Sequence, residues 1–258
     1  MKKQMNVCVV QAPLVWEDVT ANLEAFERRL ATVEGGDVIV LPELFTSGFS
    51  MEGKERVSSR YEEVCARMRV WARERDALVM GSTVCEKEGQ YYNRLVAAFP
   101  DGEIACYDKR HCFTMGEEHE HFTPGQDLLV VSFRGVRIAV FICYDLRFPV
   151  WSRNTSGYDV AVYVANWPEA RRRVWQVLLQ ARAIENQCYV VGVNCVGEDG
   201  NGLRYAGDSM VVSPKGNALW VGAPFAEEVA RVTLDKADLQ EFREKFPVLK
   251  DQDLFTLN

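Results

Sequence analysis

The sequence lacks long hydrophobic runs, cysteine pairs at C-x-x-C spacing and any excess of positive charge. No apolar stretch approaches the roughly 18 residues of a membrane helix, and the lysines near the start precede only a strand-length run, Val7 to Val10. We therefore expect neither a membrane span nor a signal peptide. The formal net charge of −7 argues against nucleic acid or anionic membrane as a partner, because both require clustered Lys and Arg.

The eight cysteines also show little sign of disulfide bonding. Most lie inside apolar runs, as small buried hydrophobic residues do, and this usage predicts a cytoplasmic protein. The 258 residues are 48% hydrophobic and 26% charged, which is typical of a globular protein. Because α/β domains commonly reach about 250 residues and no linker or repeat is visible, we predict one domain over residues 1–258.

Helical and strand patterns alternate along the chain. Helices are predicted over 19–33, 61–75, 145–156, 171–186 and 235–244. Strands are predicted over 6–11, 38–41, 78–84, 91–99, 104–108, 128–133, 136–143, 158–165, 188–194, 205–213 and 229–234. Residues 110–127 are polar and irregular. Hairpin turns are too frequent for a purely parallel sheet, so the pattern favours an α/β fold with a two-sheet core covered by helices.

Three apolar, strand-like runs each end on a reactive side chain, namely Glu43, Lys109 and Cys143. Reactive groups in α/β proteins gather at the carboxyl ends of strands. A carboxylate, an ammonium and a thiol placed together there supply a base, an electrostatic stabiliser and a nucleophile. The sequence therefore predicts nucleophilic catalysis, although Cys143 alone also fits a buried core thiol and Glu43 alone a surface carboxylate.

A free thiol with a pKa near 8.5 is only a few per cent thiolate at neutral pH, so Cys143 needs a base or a nearby cation. Glu43 fits the first role and Lys109 the second. The backbone N–H of Tyr144, at a strand-to-helix turn, would add a second oxyanion donor. No G-x-S-x-G motif is present, and the three histidines share one polar loop, which favours a carboxylate base over imidazole.

Three segments that contain these residues resemble the three motifs of the nitrilase superfamily of carbon–nitrogen hydrolases: 41–45, 107–111 and 143–149. The resemblance extends over essentially the whole chain. It implies a four-layer α-β-β-α sandwich of the nitrilase type that forms a homodimer through helices and needs no cofactor or metal. It also implies a triad in which Glu43 is the general base, Lys109 stabilises the oxyanion and Cys143 forms a thioester with a small-molecule amide.

Members of the superfamily often carry a second glutamate in the loop after the lysine. Counting back from Pro124, Glu118 is the best match here, and Glu117 and Glu120 are near alternatives. Such a carboxylate would position the amide nitrogen or the attacking water. An ordinary acidic surface loop is the competing interpretation.

Residues 109–113 and 116–125, together with 165–168 and 182–186, resemble bacterial omega-amidases. Those enzymes convert 2-oxoglutaramate and 2-oxosuccinamate to the 2-oxo dicarboxylate and ammonia. Cys112 stands where that resemblance leads us to expect leucine, a swap between apolar residues of similar volume.

Four residues are candidates for substrate binding. Trp167 and Phe45 would wall a small pocket, although Trp167 also fits simple core packing. Arg147 or Arg171 would hold a substrate carboxylate by a bidentate fork, and Arg147 also fits a structural role at the nucleophile turn.

Other functions remain open from the sequence. An N-carbamoyl amino acid hydrolase, an aliphatic amidase or a true nitrilase would use the same triad. A metal-binding module in the loop from His111 to His121 is an alternative of a different class, with Cys112, His119 and Glu120 as further ligands. A catalytically inactive scaffold is disfavoured because all three triad residue types are present.

Overall fold

The computed structural model describes residues 4–253, 255 and 256. The strands are β1 Gln4–Gln11, β2 Val38–Val40, β3 Leu78–Lys87, β4 Gln90–Ala98, β5 Ile104–Asp108, β6 Val130–Phe133, β7 Val136–Ile142, β8 Val160–Ala165, β9 Tyr189–Asn194, β10 Val196–Glu198, β11 Arg204–Ala206, β12 Met210–Val212, β13 Ala218–Val221 and β14 Glu228–Asp235. The helices are α1 Val19–Ala31, α2 Lys54–Ser58, α3 Tyr61–Arg75, α4 Glu118–His121, α5 Arg172–Asn186 and α6 Lys236–Lys245. Short 3₁₀ turns cover Thr114–Gly116, Cys143–Arg147, Glu169–Arg171 and Val248–Asp251.

Two six-stranded sheets, ordered β14-β1-β2-β3-β4-β5 and β13-β12-β9-β8-β7-β6, form the framework. Each has three parallel strands at its centre, β1-β2-β3 in one and β7-β8-β9 in the other. The flanking strands pair antiparallel. The antiparallel edges explain the many hairpin turns that the sequence shows.

Side-chain alternation along the strands separates the layers, because successive residues of a strand point to opposite faces. In β1, Val7 and Val9 belong to the cluster that joins the two sheets. Cys8 and Val10 belong to a second cluster that contains the buried faces of α1 and α3. Helix α5 packs on β9 and β12 of the second sheet. The order of layers is therefore α-β-β-α, as predicted.

The helices pack through apolar stripes at helical spacing. Helix α1 begins where Asp18 accepts a hydrogen bond from Ala21 N (2.9 Å), and it buries Leu23, Phe26 and Leu30. On the other side, α5 approaches β9 closely at Gly192. A Cβ atom there would lie 2.5 Å from Leu179 Cδ1, so a larger residue would displace the Leu179 side chain from the sheet.

The predicted helix over 145–156 is wrong. The structure has only the 3₁₀ turn Cys143–Arg147, and 148–159 contains no helix. Phe148 precedes Pro149, and the proline ring disfavours helical φ/ψ in the residue before it; Phe148 has φ −113° and ψ 88°.

The predicted strand over 205–213 is two strands, β11 and β12, that belong to different sheets. Gly207 and Asp208 have φ of 74° and 53°, and these left-handed residues interrupt extended backbone. The short elements α2, α4, β10 and β13 were not predicted from the sequence.

Within the part of the chain that the structure describes, no helix is both long and apolar enough to cross a membrane.

We expect the Leu30→Ala variant to lose about 2–5 kcal/mol of unfolding free energy, because it removes a fully buried side chain and leaves a cavity under α1. Urea unfolding measures the loss. Leu128→Ala is the control: Leu128 is 42% exposed, so its truncation is expected to cost about 0.5 kcal/mol or less. Equal losses in the two variants would contradict this assignment of the core.

Candidate active site

The candidate site lies where carboxyl ends of strands from both sheets meet. Strands β2 and β5 point the same way, because β2 is parallel to β3 and two antiparallel pairings lead from β3 to β5. Glu43 follows β2 and Lys109 follows β5. From the other sheet, Cys143 follows β7 and Asn166 follows β8. The three strand ends that the sequence predicted to be reactive thus lie in one region of the structure.

A buried ion cluster occupies this region. Lys109 Nζ donates to Glu43 Oε1 (2.8 Å) and to both carboxylate oxygens of Glu118 (2.9 Å each). The side chains of all three are 0–1% exposed. An ammonium has three N–H donors, so carboxylate oxygens occupy the full hydrogen-bonding capacity of Lys109.

Neutral donors complete the coordination of the two carboxylates. Asn93 Nδ2 donates to Glu43 Oε1 (2.8 Å) and to Glu118 Oε1 (3.3 Å). Asn166 N donates to Glu43 Oε2 (2.7 Å), and Phe113 N donates to Glu118 Oε2 (2.6 Å). Both oxygens of each carboxylate therefore accept hydrogen bonds, as buried charges require.

The cluster contains two carboxylates and one ammonium, so it holds one excess negative charge when all three are ionised. Burial opposes the charge on Lys109, but Glu118 and Glu43 together raise its pKa well above the ordinary value. Burial raises the pKa of Glu118 despite the attraction of Lys109, and Glu43 raises it further. Lys109 thus stays charged, while the second carboxylate is harder to ionise.

Cys143 occupies a constrained turn with φ +42°, a left-handed conformation unusual for a side chain of this type. Asp145 fixes the turn by accepting from Ile142 N (3.0 Å) and from the Tyr107 hydroxyl (2.7 Å) through Oδ2. Its Oδ1 accepts from His111 N (3.0 Å). One carboxylate therefore ties the turn of Cys143 to the segment on either side of Lys109.

The thiol of Cys143 is neutral at rest. Burial, followed by the nearby Glu43 carboxylate, raises the pKa of Cys143 well above its ordinary value, and Lys109 only partly offsets this. The Sγ atom lies 3.9 Å from Asn166 O. A base must therefore remove the thiol proton at the moment of attack, and the ionisable group suited to this is Glu43.

A pocket with about 430 Å³ of empty space, part of it open to solvent, exposes Cys143 and Lys109. Its other lining residues are Phe49, Phe113, Tyr144, Arg147, Asn166, Trp167, Pro168, Arg171, Leu203 and Tyr205. The guanidinium of Arg147 lies over the Trp167 ring (5.1 Å), and that of Arg171 lies over the Phe113 ring (5.2 Å). Among residues 4–253, 255 and 256, neither guanidinium forms an ion pair with a carboxylate.

Three of the four predicted substrate-binding residues line the pocket, and one does not. Trp167, Arg147 and Arg171 line the pocket, as does Tyr144, whose N–H lies in the first turn of the 3₁₀ helix. Phe45 does not. Its ring is fully buried in the helix-side core, 5.3 Å from the Phe26 ring and 6.3 Å from the Trp71 ring. The prediction of Phe45 as a pocket wall is therefore wrong.

Several residues of the site were missed in the sequence. Asn166 directly follows a predicted strand, so the rule that identified Cys143 would also have found it. Asn93 lies inside a strand, where its sequence context gives no functional signal. Phe49 is four residues beyond Phe45 and takes the wall position; its ring centre is 5.4 Å from Lys109 Nζ.

The histidines of the loop predicted as a possible metal site contact different residues instead of one another. His111 stacks on Phe148 (3.7 Å) and contacts Asp145, while His121 Nδ1 lies 3.0 Å from Lys54 Nζ. Within the described residues, no group of three or more His, Cys, Asp or Glu side chains is arranged to hold a metal ion. The geometry gives the metal-module alternative no support. Glu120 is exposed, and Glu117 lines a neighbouring outer cavity, so Glu118 is the glutamate that reaches Lys109.

Comparison with known proteins agrees with this geometry. The carbon–nitrogen hydrolase family model matches residues 6–244. Omega-amidase YafV of Escherichia coli (strain K12) is 48% identical over 98% of each chain. A 2-oxoglutaramate amidase of Bacillus subtilis (strain 168) is 34% identical over 83% of this chain and 84% of its own. The crystal structure of XC1258 from Xanthomonas campestris, a CN-hydrolase superfamily protein with an arsenic adduct in the active site, superposes with a TM-score of 0.97 at 39% identity over the full length of both chains.

The chain belongs to the carbon–nitrogen hydrolase family. The sequence-based predictions of the nitrilase superfamily, of the α-β-β-α sandwich and of an amidohydrolase are confirmed.

We expect the alkylation rate of Cys143 by iodoacetamide to keep rising from pH 7 to pH 10. A raised thiol pKa means that the neutral form persists above the ordinary titration range, so the thiolate fraction is still growing there. Mass spectrometry of the Cys143 peptide measures the rate, with glutathione as the reference thiol. A plateau at or below about pH 8 would show a thiolate at rest and contradict this charge state.

Proposed function

We propose that this chain is an omega-amidase that hydrolyses the terminal amide of 2-oxo dicarboxylate monoamides such as 2-oxoglutaramate and 2-oxosuccinamate. The observation that carries the proposal is the small pocket beside Cys143, which contains two guanidiniums without carboxylate partners. The similarity to an omega-amidase and to a 2-oxoglutaramate amidase supports the same substrate class.

In the first step Cys143 Sγ attacks the amide carbonyl carbon while Glu43 accepts the thiol proton. The carbonyl oxygen becomes an oxyanion, stabilised by the Lys109 ammonium and the Tyr144 N–H. Losing one such donor typically raises a barrier by about 2.7–4 kcal/mol. The carbon–nitrogen bond then breaks, and the proton held by Glu43 leaves with ammonia.

In the second step Glu43 removes a proton from water, which attacks the thioester. The carbon–sulfur bond breaks, the 2-oxo acid is released and the proton returns to Cys143. One base thus serves both half-reactions. Glu118 keeps the Lys109 ammonium close to Glu43 and orients the amide nitrogen or the attacking water.

Substrate selection depends on the far side of the pocket. Arg147 and Arg171 would bind the carboxylate and the adjacent 2-oxo group, since guanidinium forks match planar oxygen pairs. Two positive charges also disfavour an α-ammonium group, so glutamine is expected to be a poorer substrate than 2-oxoglutaramate. Trp167 and Phe49 limit the width of the pocket.

We also propose that residues 1–258 act as one hydrolase domain in a cytoplasmic homodimer. Strands of both sheets share one buried cluster, which supports a single unit. Apolar side chains remain exposed on α5 and in the segment after the nucleophile turn: Val150, Val177 and Ile184 are 52%, 42% and 55% exposed. Such surface is suited to burial between two copies.

We expect Cys143→Ala to abolish ammonia release while the fold is retained, because the nucleophile is removed and a smaller side chain replaces it. A coupled ammonia assay and circular dichroism measure the two properties. Wild-type turnover by the variant would exclude the thioester mechanism. With the wild type, a substrate panel distinguishes the alternatives: carbon dioxide release would indicate an N-carbamoyl amino acid hydrolase, nitrile turnover a nitrilase, and preference for neutral amides an aliphatic amidase.

We expect Arg171→Ala and Arg147→Ala each to lower kcat/KM for 2-oxoglutaramate about 10- to 100-fold, the range for loss of a hydrogen bond to a charged group. Turnover of butyramide, which has no carboxylate, should change less than about threefold. Arg173→Ala is the matched control, because Arg173 lies two residues beyond Arg171, in the first turn of α5, and is exposed outside the pocket. Equal losses on both substrates would reject carboxylate recognition by these residues.

A further inference from the structure

Asn93 has an unusual position in the ion cluster. It is 1% exposed near the start of β4, and its one amide nitrogen donates to both carboxylates, Glu43 Oε1 (2.8 Å) and Glu118 Oε1 (3.3 Å). Lys109 Nζ contacts the same two oxygen atoms. Two carboxylate oxygens are therefore bridged twice, once by a cation and once by a neutral amide.

The Lys109 bridge must change during the reaction, whereas the Asn93 bridge can stay as it is. The hydrogen-bonding capacity of Lys109 is fully used by carboxylates at rest, so a contact with the oxyanion requires it to release one of them. If Lys109 turns toward the substrate carbonyl before Glu43 accepts the thiol proton, the two carboxylates repel each other more strongly in a buried, weakly screened environment. Asn93 has no role at the oxyanion and can keep both hydrogen bonds throughout the cycle.

The backbone holds Asn93 firmly. Asn93 pairs with Val84 in β3, and its backbone carbonyl oxygen accepts a hydrogen bond from Lys109 N (3.0 Å). Its side-chain Oδ1, by contrast, is buried without a hydrogen-bond partner among the described residues. A buried acceptor left unsatisfied costs free energy, so the amide is oriented by what its nitrogen donates to.

We propose that Asn93 is a positioning residue for the hydrolysis: it holds Glu43 and Glu118 ionised on either side of Lys109 until Glu43 accepts the thiol proton. The proposal rests on the proposed function in taking Glu43 as the base. It assigns Asn93 no contact with substrate.

The titratable groups that face the pair are Lys109 from the end of β5 and Cys143 from the end of β7. Three further groups lie close enough to couple with the carboxylates: Cys112, Cys195 and Tyr205. Burial raises the pKa of each, that of Cys112 to about 12, so all three are neutral at pH 7. A shift of the acid limb of the pH profile of kcat/KM therefore reflects a change in the pKa of the carboxylate pair.

The test is the pH dependence of kcat/KM in Asn93→Leu, which nearly preserves volume and removes the donor. A donor to a carboxylate favours its ionised form, so its loss should move the acid limb upward by about one pH unit. Asn93→Asp should move the limb in the same direction, because it adds a third carboxylate. The defect should be largest at low pH and shrink as pH rises.

Asn154→Leu is the matched control. Asn154 is also a buried asparagine, and its side-chain nitrogen donates hydrogen bonds to the backbone carbonyls of Tyr158 and Asn186, outside the site. It should lower thermal stability and leave the acid limb in place. An unshifted limb in folded Asn93→Leu, with activity reduced equally at every pH, would overturn the proposal. If Asn93→Leu does not fold, the same criterion applies to Asn93→Ser, whose single hydroxyl donor should give a smaller shift. The assay uses whichever amide the wild type hydrolyses, so a wrong substrate class does not affect the outcome.

Discussion

The geometry of the site depends on the buried ion cluster in which Lys109 is held by Glu43 and Glu118. Burying three charges is costly unless every one is paired and hydrogen bonded, and here each carboxylate oxygen has a donor. The cluster also fixes the protonation state of the site. Its two carboxylates keep Lys109 protonated, and burial together with Glu43 raises the pKa of Cys143, so its thiol is neutral.

The fold supplies the rigidity that this cluster requires. Two sheets with parallel centres bring strand ends together from both sides, and helix layers bury the outer faces. The turn at Cys143 is strained, with φ +42°, and Asp145 and its partners offset that strain. Stability is thus concentrated in the apolar layers, whereas the region between the strand ends contains the charged groups and the strained backbone.

Much of the fold and of the site could be predicted from the sequence. The apolar runs that stop at Glu43, Lys109 and Cys143 are local patterns, and the interleaved helices and strands indicated two covered sheets. Asn93 could not be predicted, because its role arises from pairing between β4 and β5 and from contacts with residues 25 and 50 positions away. Phe45 and Phe49 show the same limit: which aromatic reaches the pocket depends on how the chain turns after Glu43, where Leu44 takes φ +41°.

The most direct measurement is intact-protein mass spectrometry of the enzyme quenched during turnover of 2-oxoglutaramate, followed by peptide mapping. We expect a transient adduct with the mass of the 2-oxoglutaryl group on Cys143, and loss of that adduct in Glu43→Gln, where the base is absent. Turnover without any acyl adduct, or an adduct on another side chain, would contradict a thioester at Cys143.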